Sequence, residues 1–164
     1  MAYKVETIAN YFINKGIESA KPITPLKVQK LVYYAHGVYI GLGKGPLVEG
    51  DFQVWRYGPV HEELYHILKD FGYGIITKQV VTYNLHESID SAADKDFLDA
   101  IWKYFGGYSA IQLSNSTHRA GTPWANIDKK YNSNVPFNER ITNMELYEFF
   151  NPIANDIIEK GRNN

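Results

Sequence analysis

The sequence predicts a mainly α fold: a compact bundle of about six helices with a small antiparallel β element. Apolar residues recur at helical spacing along most of the chain, and helix-initiating residues precede several of these stripes. Alternating, aromatic-rich sequence is confined to short runs, which is typical of small strands. With 164 residues and 45% hydrophobic residues, the chain is long enough for one core. Residues 1–164 are therefore expected to form a single domain.

The first two predicted helices lie in the first quarter of the chain. Residues 5–13 carry apolar side chains at helical spacing, which predicts a helix ending near Gly16. Thr24 is a good N-cap and precedes a proline, so a second helix is expected over residues 25–42. That helix is apolar almost all round, which is typical of a helix at the centre of a fold. Its few polar residues then each need a partner if they are buried; they are Lys27, Gln29, Lys30 and His36.

A short strand and a third helix are predicted next. Residues 52–57 alternate and are rich in aromatics, which predicts a strand. Gly58 and Pro59 predict a turn at which the third helix opens, and this helix is expected to end at Gly72. The β-branched residues within 75–83 predict a small hairpin.

The second half of the chain is predicted to contain three helices. A polar loop over residues 84–93 precedes a helix over residues 94–105, and Ser109 is expected to cap the next one. Residues 119–138 carry glycine, proline, asparagine and serine and predict a long loop. Residues 138–141 are expected to be extended.

The last helix is predicted from a long apolar stripe that begins after Thr142, its expected N-cap. Pro152 lies inside this stripe and predicts a kink, because proline removes one backbone hydrogen bond. Gly161 is expected to end the helix.

Composition argues against several classes of function. The net charge is −1, and the longest basic run is Lys129-Lys130, too short for the basic stripe of most nucleic-acid-binding proteins. The absence of cysteine excludes disulfides, thiolate metal sites and cysteine nucleophiles. The amino terminus lacks the apolar run of a signal peptide, and no stretch approaches the roughly 18 apolar residues that span a bilayer. A cytoplasmic protein without a membrane partner is expected.

No motif predicts catalysis, a metal or a cofactor. His61 and His66 are five residues apart, which turns them about 140° away from each other on a helix, whereas the zinc-protease motif needs four. Ser114 and His118 lie near each other without the strained elbow of a serine hydrolase. The glycine loop at residues 41–45 lacks the ending that phosphate binding requires. The chain is therefore predicted not to be an enzyme, with a hydrolase using His61 or His118 as the open alternative.

Two aromatic clusters beside turns are the candidate binding residues. Large amphipathic side chains next to a fixed turn are typical of protein-binding surfaces. The open alternative is that the tryptophans fill the core and the histidines bond to the backbone. The predicted partner-binding residues are Trp55, Tyr57, Pro59, His61, His118 and Trp124.

Three segments resemble the signatures of a known family. Residues 23–37 read ITPLKVQKLVYYAHG, residues 54–60 read VWRYGPV, and residues 113–118 read LSNSTH, with Pro123 and Trp124 following. Together and in this order they resemble the Panacea domain, also called the SocA-like antitoxin domain and earlier described as a phage-associated GepA-type protein. The resemblance covers essentially the whole chain. His61 departs from it, since a small apolar residue is more usual there.

The resemblance implies an antitoxin that neutralises a cognate toxin by binding it directly. Members are frequent on phages and other mobile elements, and their toxins have many unrelated folds. Two related functions stay open: an adaptor that delivers a bound client to a protease component, and a phage counter-defence protein that binds its target. A toxin as the partner is implied by the family resemblance alone, since no residue pattern in the chain indicates one.

Overall fold

The computed structural model describes residues 1–80, 82 and 86–164. The fold is mainly α with a small antiparallel sheet, as the sequence predicts. The helices are α1 (Val5–Glu18), α2 (Pro25–Gly41), α3 (Glu62–Leu68), α4 (Ala92–Phe105), α5 (Ala110–Thr117), α6 (Pro123–Lys130) and α7 (Asn143–Arg162). The strands are β1 (Phe52–Trp55), β2 (Gly58–His61) and β3 (Arg140–Ile141), and a 3₁₀ turn at Lys69–Phe71 follows α3. Within the described residues, no helix is long and apolar enough to cross a membrane.

Helix α2 is the centre of the molecule, as its sequence predicts. Thr24 caps it by accepting a hydrogen bond from the Lys27 amide, and Pro25 occupies the first helical position. From residue 28 to residue 41, every residue except Tyr39 is buried. Helices α1, α4, α5 and α7 and strand β2 all pack against it. A helix enclosed on all sides fixes the positions of its neighbours.

The contact between α2 and α7 depends on two glycines one turn apart in α2. A Cβ atom at Gly37 would overlap the Phe150 ring of α7, and one at Gly41 would lie 2.7 Å from the Phe150 carbonyl carbon. The Phe150 ring is held edge-on by Tyr33 and Tyr34, with centroids 6.0 and 6.2 Å away. The two helices therefore approach more closely than any residue with a side chain at these positions would permit.

The sheet has the order β2-β1-β3, and all its pairs are antiparallel. Strands β1 and β2 form a tight hairpin in which Trp55 pairs with Gly58, so its two-residue turn is Arg56-Tyr57. Gly58 has φ = 109°, a conformation that L side chains rarely adopt. The turn predicted at Gly58 and Pro59 is therefore wrong, because these residues begin β2. The third helix starts later than predicted, at Glu62.

Two further predictions from the middle of the chain are wrong or untested. The predicted strand at residues 75–77 is not a strand; Ile76 is buried, and its amide donates to the Ile23 carbonyl at 2.8 Å. Its predicted partner includes residues 81 and 83, which lie outside the described residues, as do residues 84 and 85 of the predicted loop. Residues 86–91 contain no helix or strand, and α4 begins at Ala92, capped by Ser91.

Helix α6 lies inside the segment that the sequence predicts to be a loop. Thr122 caps it, and Pro123 takes the first helical position, the same Thr-Pro start that correctly predicts α2. The prediction fails because glycine at 121 and polar residues after 130 flank an eight-residue helix that is too short to show a clear apolar stripe. Trp124 and Ile127 are nevertheless buried along it.

Helix α7 confirms the predicted capping by Thr142, which forms a reciprocal capping box with Glu145. The helix continues through Pro152, and the predicted kink stays a prediction. Gly161 does not end the helix but lies inside it, one residue before its end. A Cβ atom there would overlap the Ala100 carbonyl oxygen of α4. This glycine therefore serves close helix packing.

We expect Gly37→Ala to lower the free energy of unfolding by about 1–3 kcal/mol, because the new methyl group overlaps the enclosed Phe150 ring. This loss should exceed the roughly 1 kcal/mol that alanine gains over glycine in a helix. The control is Gly107→Ala, where an added Cβ meets nothing within 4 Å. Urea denaturation measures both variants. Equal stability of the two would show that the close contact between α2 and α7 is not required.

Candidate partner-binding surface

The three sequence signatures meet at the β1–β2 hairpin. Helix α2 lies along the outer edge of β2, while α5 and the start of α6 lie beside the Arg56-Tyr57 turn. Strands of four residues form only a marginal hairpin by themselves. Side chains from the helices supply the missing support.

Five backbone carbonyls of the hairpin lie within hydrogen-bond distance of a polar side-chain atom from another signature. The pairs are Trp55 O with Trp124 Nε1 (2.7 Å), Arg56 O with His118 Nε2 (3.1 Å), Tyr57 O with Ser114 Oγ (2.6 Å), Pro59 O with Lys30 Nζ (2.8 Å) and His61 O with Gln29 Nε2 (3.0 Å). The signatures thus fix the hairpin backbone from its turn to its base. The side chains of the turn itself are left facing outward.

His61 is an anchor at the base of the hairpin. It is 3% exposed, and the Gln29 side chain bonds both its backbone amide and its carbonyl at 3.0 Å. Its Nε2 lies 2.8 Å from the Glu49 carbonyl, and its Nδ1 accepts from the Leu64 amide at 3.4 Å, capping α3. A ring that donates at Nε2 and accepts at Nδ1 satisfies both contacts. Both nitrogens are therefore engaged in holding the backbone.

Lys30 is a fully buried lysine on α2, with none of its surface exposed. Its ammonium donates to the Pro59 carbonyl, and burial lowers the pKa of Lys30 to about 7. Gly58 lies directly beside it: a Cβ there would be 3.2 Å from Lys30 Nζ and 2.5 Å from Thr117 Oγ1. Glycine at position 58 thus serves both the positive φ and the close approach of these two side chains.

His118 bridges α5 to the turn. Its Nδ1 lies 2.7 Å from the Ser114 carbonyl and its Nε2 lies 3.1 Å from the Arg56 carbonyl. The imidazole also rests against the Trp124 indole, with ring centroids 3.9 Å apart. His118 is half-buried, and its polar atoms are directed at backbone oxygens.

The structure brings the six predicted binding residues around this one hairpin but exposes them unequally. Pro59, His61 and Trp124 are buried. Trp55 is half-buried, and its ring packs edge-on against Tyr65 of α3 at 4.9 Å. Tyr57, at 62% exposure, is the most open of the six. Binding by these residues stays a prediction, and in this arrangement the side chains of His61 and Trp124 bond to backbone groups.

Several exposed side chains beside the turn were not predicted. Arg56 lies over the Tyr57 ring, 5.6 Å from its centroid, and Arg119 follows His118 on the surface. Ile111 is 68% exposed and precedes Ser114 by one turn of α5. The sequence offered one signal for Ile111: it is an apolar residue that does not lie on the buried face of its short helix. We name the set of Trp55, Arg56, Tyr57, Ile111, His118 and Arg119 the tip surface.

The open alternative of histidine catalysis finds little support in this geometry. A general base needs a free nitrogen near a cleft. His61 and His118 instead contact backbone groups through both ring nitrogens. In residues 1–80, 82 and 86–164, no group of three or more histidine, aspartate or glutamate side chains is placed to hold a metal ion.

Comparison with known proteins gives two matches. Residues 28–125 match the family described as "Antitoxin SocA-like, Panacea domain". The chain is also 32% identical over 151 residues to the Antitoxin SocA of Caulobacter vibrioides (strain NA1000 / CB15N), covering 87% of this chain and 80% of that protein. No solved structure matches. The resemblance noted in the sequence is confirmed, and the family segment contains every side chain that supports the hairpin, from Gln29 to Trp124.

Lys30 gives the stability of the protein a testable pH dependence. Its pKa is about 7 in the folded protein and near 10.5 in the unfolded chain, so between these values the unfolded chain binds more protons. We therefore expect the free energy of unfolding to rise with pH from about 7 to about 10.5, by at most ~1.4 kcal/mol per pH unit. Lys30→Met should remove this rise.

Urea denaturation at several pH values in this window measures the slope. Lys78→Met is the matched control, because Lys78 is exposed and should leave the slope of the original protein unchanged. Lys30→Met also leaves the Pro59 carbonyl without its donor, so it should be less stable than the original protein near pH 10.5, where the original protein no longer loses stability through the lowered pKa of Lys30. An unchanged slope in Lys30→Met would contradict the assignment.

Proposed function

This chain belongs to the SocA-like antitoxin family that carries the Panacea domain, and on that premise we propose that it neutralises a cognate toxin protein by binding it directly through the tip surface. The observation that supports this proposal is that the hairpin backbone is held by neighbouring side chains while the side chains of its turn are exposed. Side chains of two signatures contact five carbonyls of the hairpin formed by the third, while Arg56 and Tyr57 at the turn remain exposed.

A rigid turn suits binding for a physical reason. Ordering a loop on association consumes part of the interaction free energy, so a turn that is already held loses less. Exposed tyrosine and arginine are the residue types most often responsible for affinity in protein interfaces. Tyr57 and Arg56 meet this description, and their mutual stacking keeps both side chains over the turn.

Binding accounts for the histidines better than catalysis does. A hydrolase would need His61 or His118 to face a substrate with an unoccupied nitrogen. Their contacts with backbone groups instead support a role in shape. We therefore propose a non-enzymatic function exercised in the cytoplasm, with a gene location on a mobile element as the family resemblance implies.

The first experiment is affinity purification of the tagged protein from its native host, with mass spectrometry of the proteins that co-purify. We expect one near-stoichiometric partner that stops growth when expressed alone and is tolerated when this protein is co-expressed. No such partner, from protein that is pure and folded, would contradict the proposal. A captured partner whose degradation accelerates in the presence of this protein would favour the adaptor function instead.

Tyr57→Ala tests the site. Removing an exposed aromatic anchor at the turn should weaken binding of the captured toxin by more than about tenfold and abolish rescue of growth. Stability should stay within about 0.5 kcal/mol, because Tyr57 is largely exposed. Tyr73→Ala is the control, since Tyr73 is fully exposed elsewhere. Toxin affinity is measured by titration calorimetry. Equal affinity of the two variants would show that the toxin does not bind through Tyr57 of the tip surface.

Trp124→Phe tests the support beneath the site. Phenylalanine keeps most of the ring but cannot donate to the Trp55 carbonyl, so stability should fall by about 1 kcal/mol. We also expect weaker toxin binding, although Trp124 is buried. Trp102→Phe on α4 is the control. A loss of stability with unchanged affinity would show that the hairpin need not be held by Trp124 for binding.

A further inference from the structure

The acidic residues of the chain avoid the segments that build the tip surface. The chain has eighteen aspartates and glutamates, and none of them lies in residues 52–61 or 100–127. These two segments supply the β1–β2 hairpin, the end of α4, all of α5 and the start of α6. The same segments contain three basic residues, Arg56, Lys103 and Arg119, so they carry a small net positive charge in a protein that is nearly neutral overall.

Two arginines of the tip surface are free of carboxylates. In the part of the chain that the structure describes, neither Arg56 nor Arg119 forms an ion pair, and both are exposed. Arg140, by contrast, pairs with Asp51 at 3.2 Å. The guanidinium of Arg56 instead lies over the Tyr57 ring. An arginine stacked on an aromatic ring keeps its planar edge available for a carboxylate.

Two carboxylates near this surface, Glu62 and Glu145, are engaged by their own elements. Glu62 accepts from Gln53 Nε2 at 3.0 Å and lies 3.8 Å from His66. Glu145 belongs to the capping box of α7 and accepts from the Thr142 amide at 2.8 Å. Neither is placed by these contacts to neutralise Arg56 or Arg119. The tip surface contains two arginines and no carboxylate, so it is positively charged, and Tyr57 and Ile111 add an apolar component.

We infer that the tip surface recognises an acidic face of a protein, in which carboxylates pair with Arg56 and Arg119 around an apolar contact with Tyr57. This inference rests on the proposed function, because it describes the partner of the same surface. Guanidinium and carboxylate pair through two parallel hydrogen bonds, which adds orientation to attraction. A protein partner is favoured over nucleic acid because two arginines neutralise few phosphates, while Tyr57 and Ile111 offer apolar area.

Opposite charges at the rim of an interface act mainly on the rate of association. The attraction steers the encounter, and salt screens it, since the Debye length falls from about 10 Å at 0.1 M to about 3 Å at 1 M. Apolar binding through Tyr57 alone would not make the association rate depend on salt in this way. Association should be fast at low ionic strength and slower as salt is added.

The test uses the full chain, the captured toxin and surface plasmon resonance at ionic strengths from about 0.05 to about 0.5 M. We expect Arg56→Glu combined with Arg119→Glu to slow association at least about tenfold at low salt and to reverse its salt dependence, because the introduced carboxylates repel an acidic partner. The neutral pair Arg56→Gln and Arg119→Gln should show an intermediate effect. It also covers the case in which the reversed variant fails to fold, which circular dichroism detects. Lys95→Glu, exposed in the first part of α4, is the control and should associate as the original protein does.

The outcomes separate this inference from the proposed function. If Tyr57→Ala loses toxin binding but arginine reversal and salt leave the association rate unchanged, recognition of an acidic face is contradicted and the proposed function stands. If Tyr57→Ala binds normally, or no toxic partner is captured, the proposed function fails and this inference fails with it. A third outcome is that a duplex or single-stranded DNA probe binds in a way that depends on the two arginines, while charge reversal leaves toxin association unchanged. That result would show that the arginines recognise nucleic acid and not an acidic protein.

Discussion

The structure depends on the complete burial of α2. A helix enclosed on all sides must find partners inside the protein for its polar side chains, because a buried polar group without a hydrogen bond is strongly destabilising. Gln29 and Lys30 find them on the backbone of β2, at His61 and Pro59. The requirement to satisfy two side chains in the core therefore fixes a hairpin at the surface. Pro59 is tolerated there because β2 is an edge strand and needs no amide donor at that position.

The hairpin gains from this arrangement a rigidity that its own hydrogen bonds do not supply. A two-residue turn between four-residue strands is marginal alone, yet side-chain partners from α2, α5 and α6 reach its carbonyls from Trp55 to His61. Gly58 is necessary at the narrowest point, where Lys30 and Thr117 close on the backbone. The turn side chains are consequently presented by the core and not by a flexible loop.

At the tip surface, the side chains that bond to the hairpin backbone differ from those that are most exposed to solvent. The residues that give the signatures their character, among them Trp124, His118 and Lys30, direct their polar atoms at the backbone. Arg56 and Tyr57 face solvent, and Ile111 on α5 and Arg119 just after it are also exposed. A surface built in this way permits changes in its outward side chains without loss of the backbone beneath them. Such a surface is consistent with the chain's membership of an antitoxin family.

The sequence by itself determined the features that depend on neighbouring residues. Caps at Thr24, Ser109 and Thr142 set the starts of three helices, and apolar spacing identified α1, α2, α4 and α7, because both signals act within one or two turns. The three signatures also indicated the segments that meet at the hairpin, and binding by them stays a prediction.

Tertiary structure decided what depends on distant partners. The Pro59 carbonyl in β2 is bonded by Lys30, which lies 29 residues earlier, and no local pattern in the sequence predicts this contact. Gly161 lies within a helix because the Ala100 backbone approaches it, although its sequence context is typical of a helix end. Whether His61 and Trp124 are anchors or contacts was likewise open in the sequence, since burial is a property of the surroundings. Only the folded backbone supplies the oxygens toward which these side chains turn.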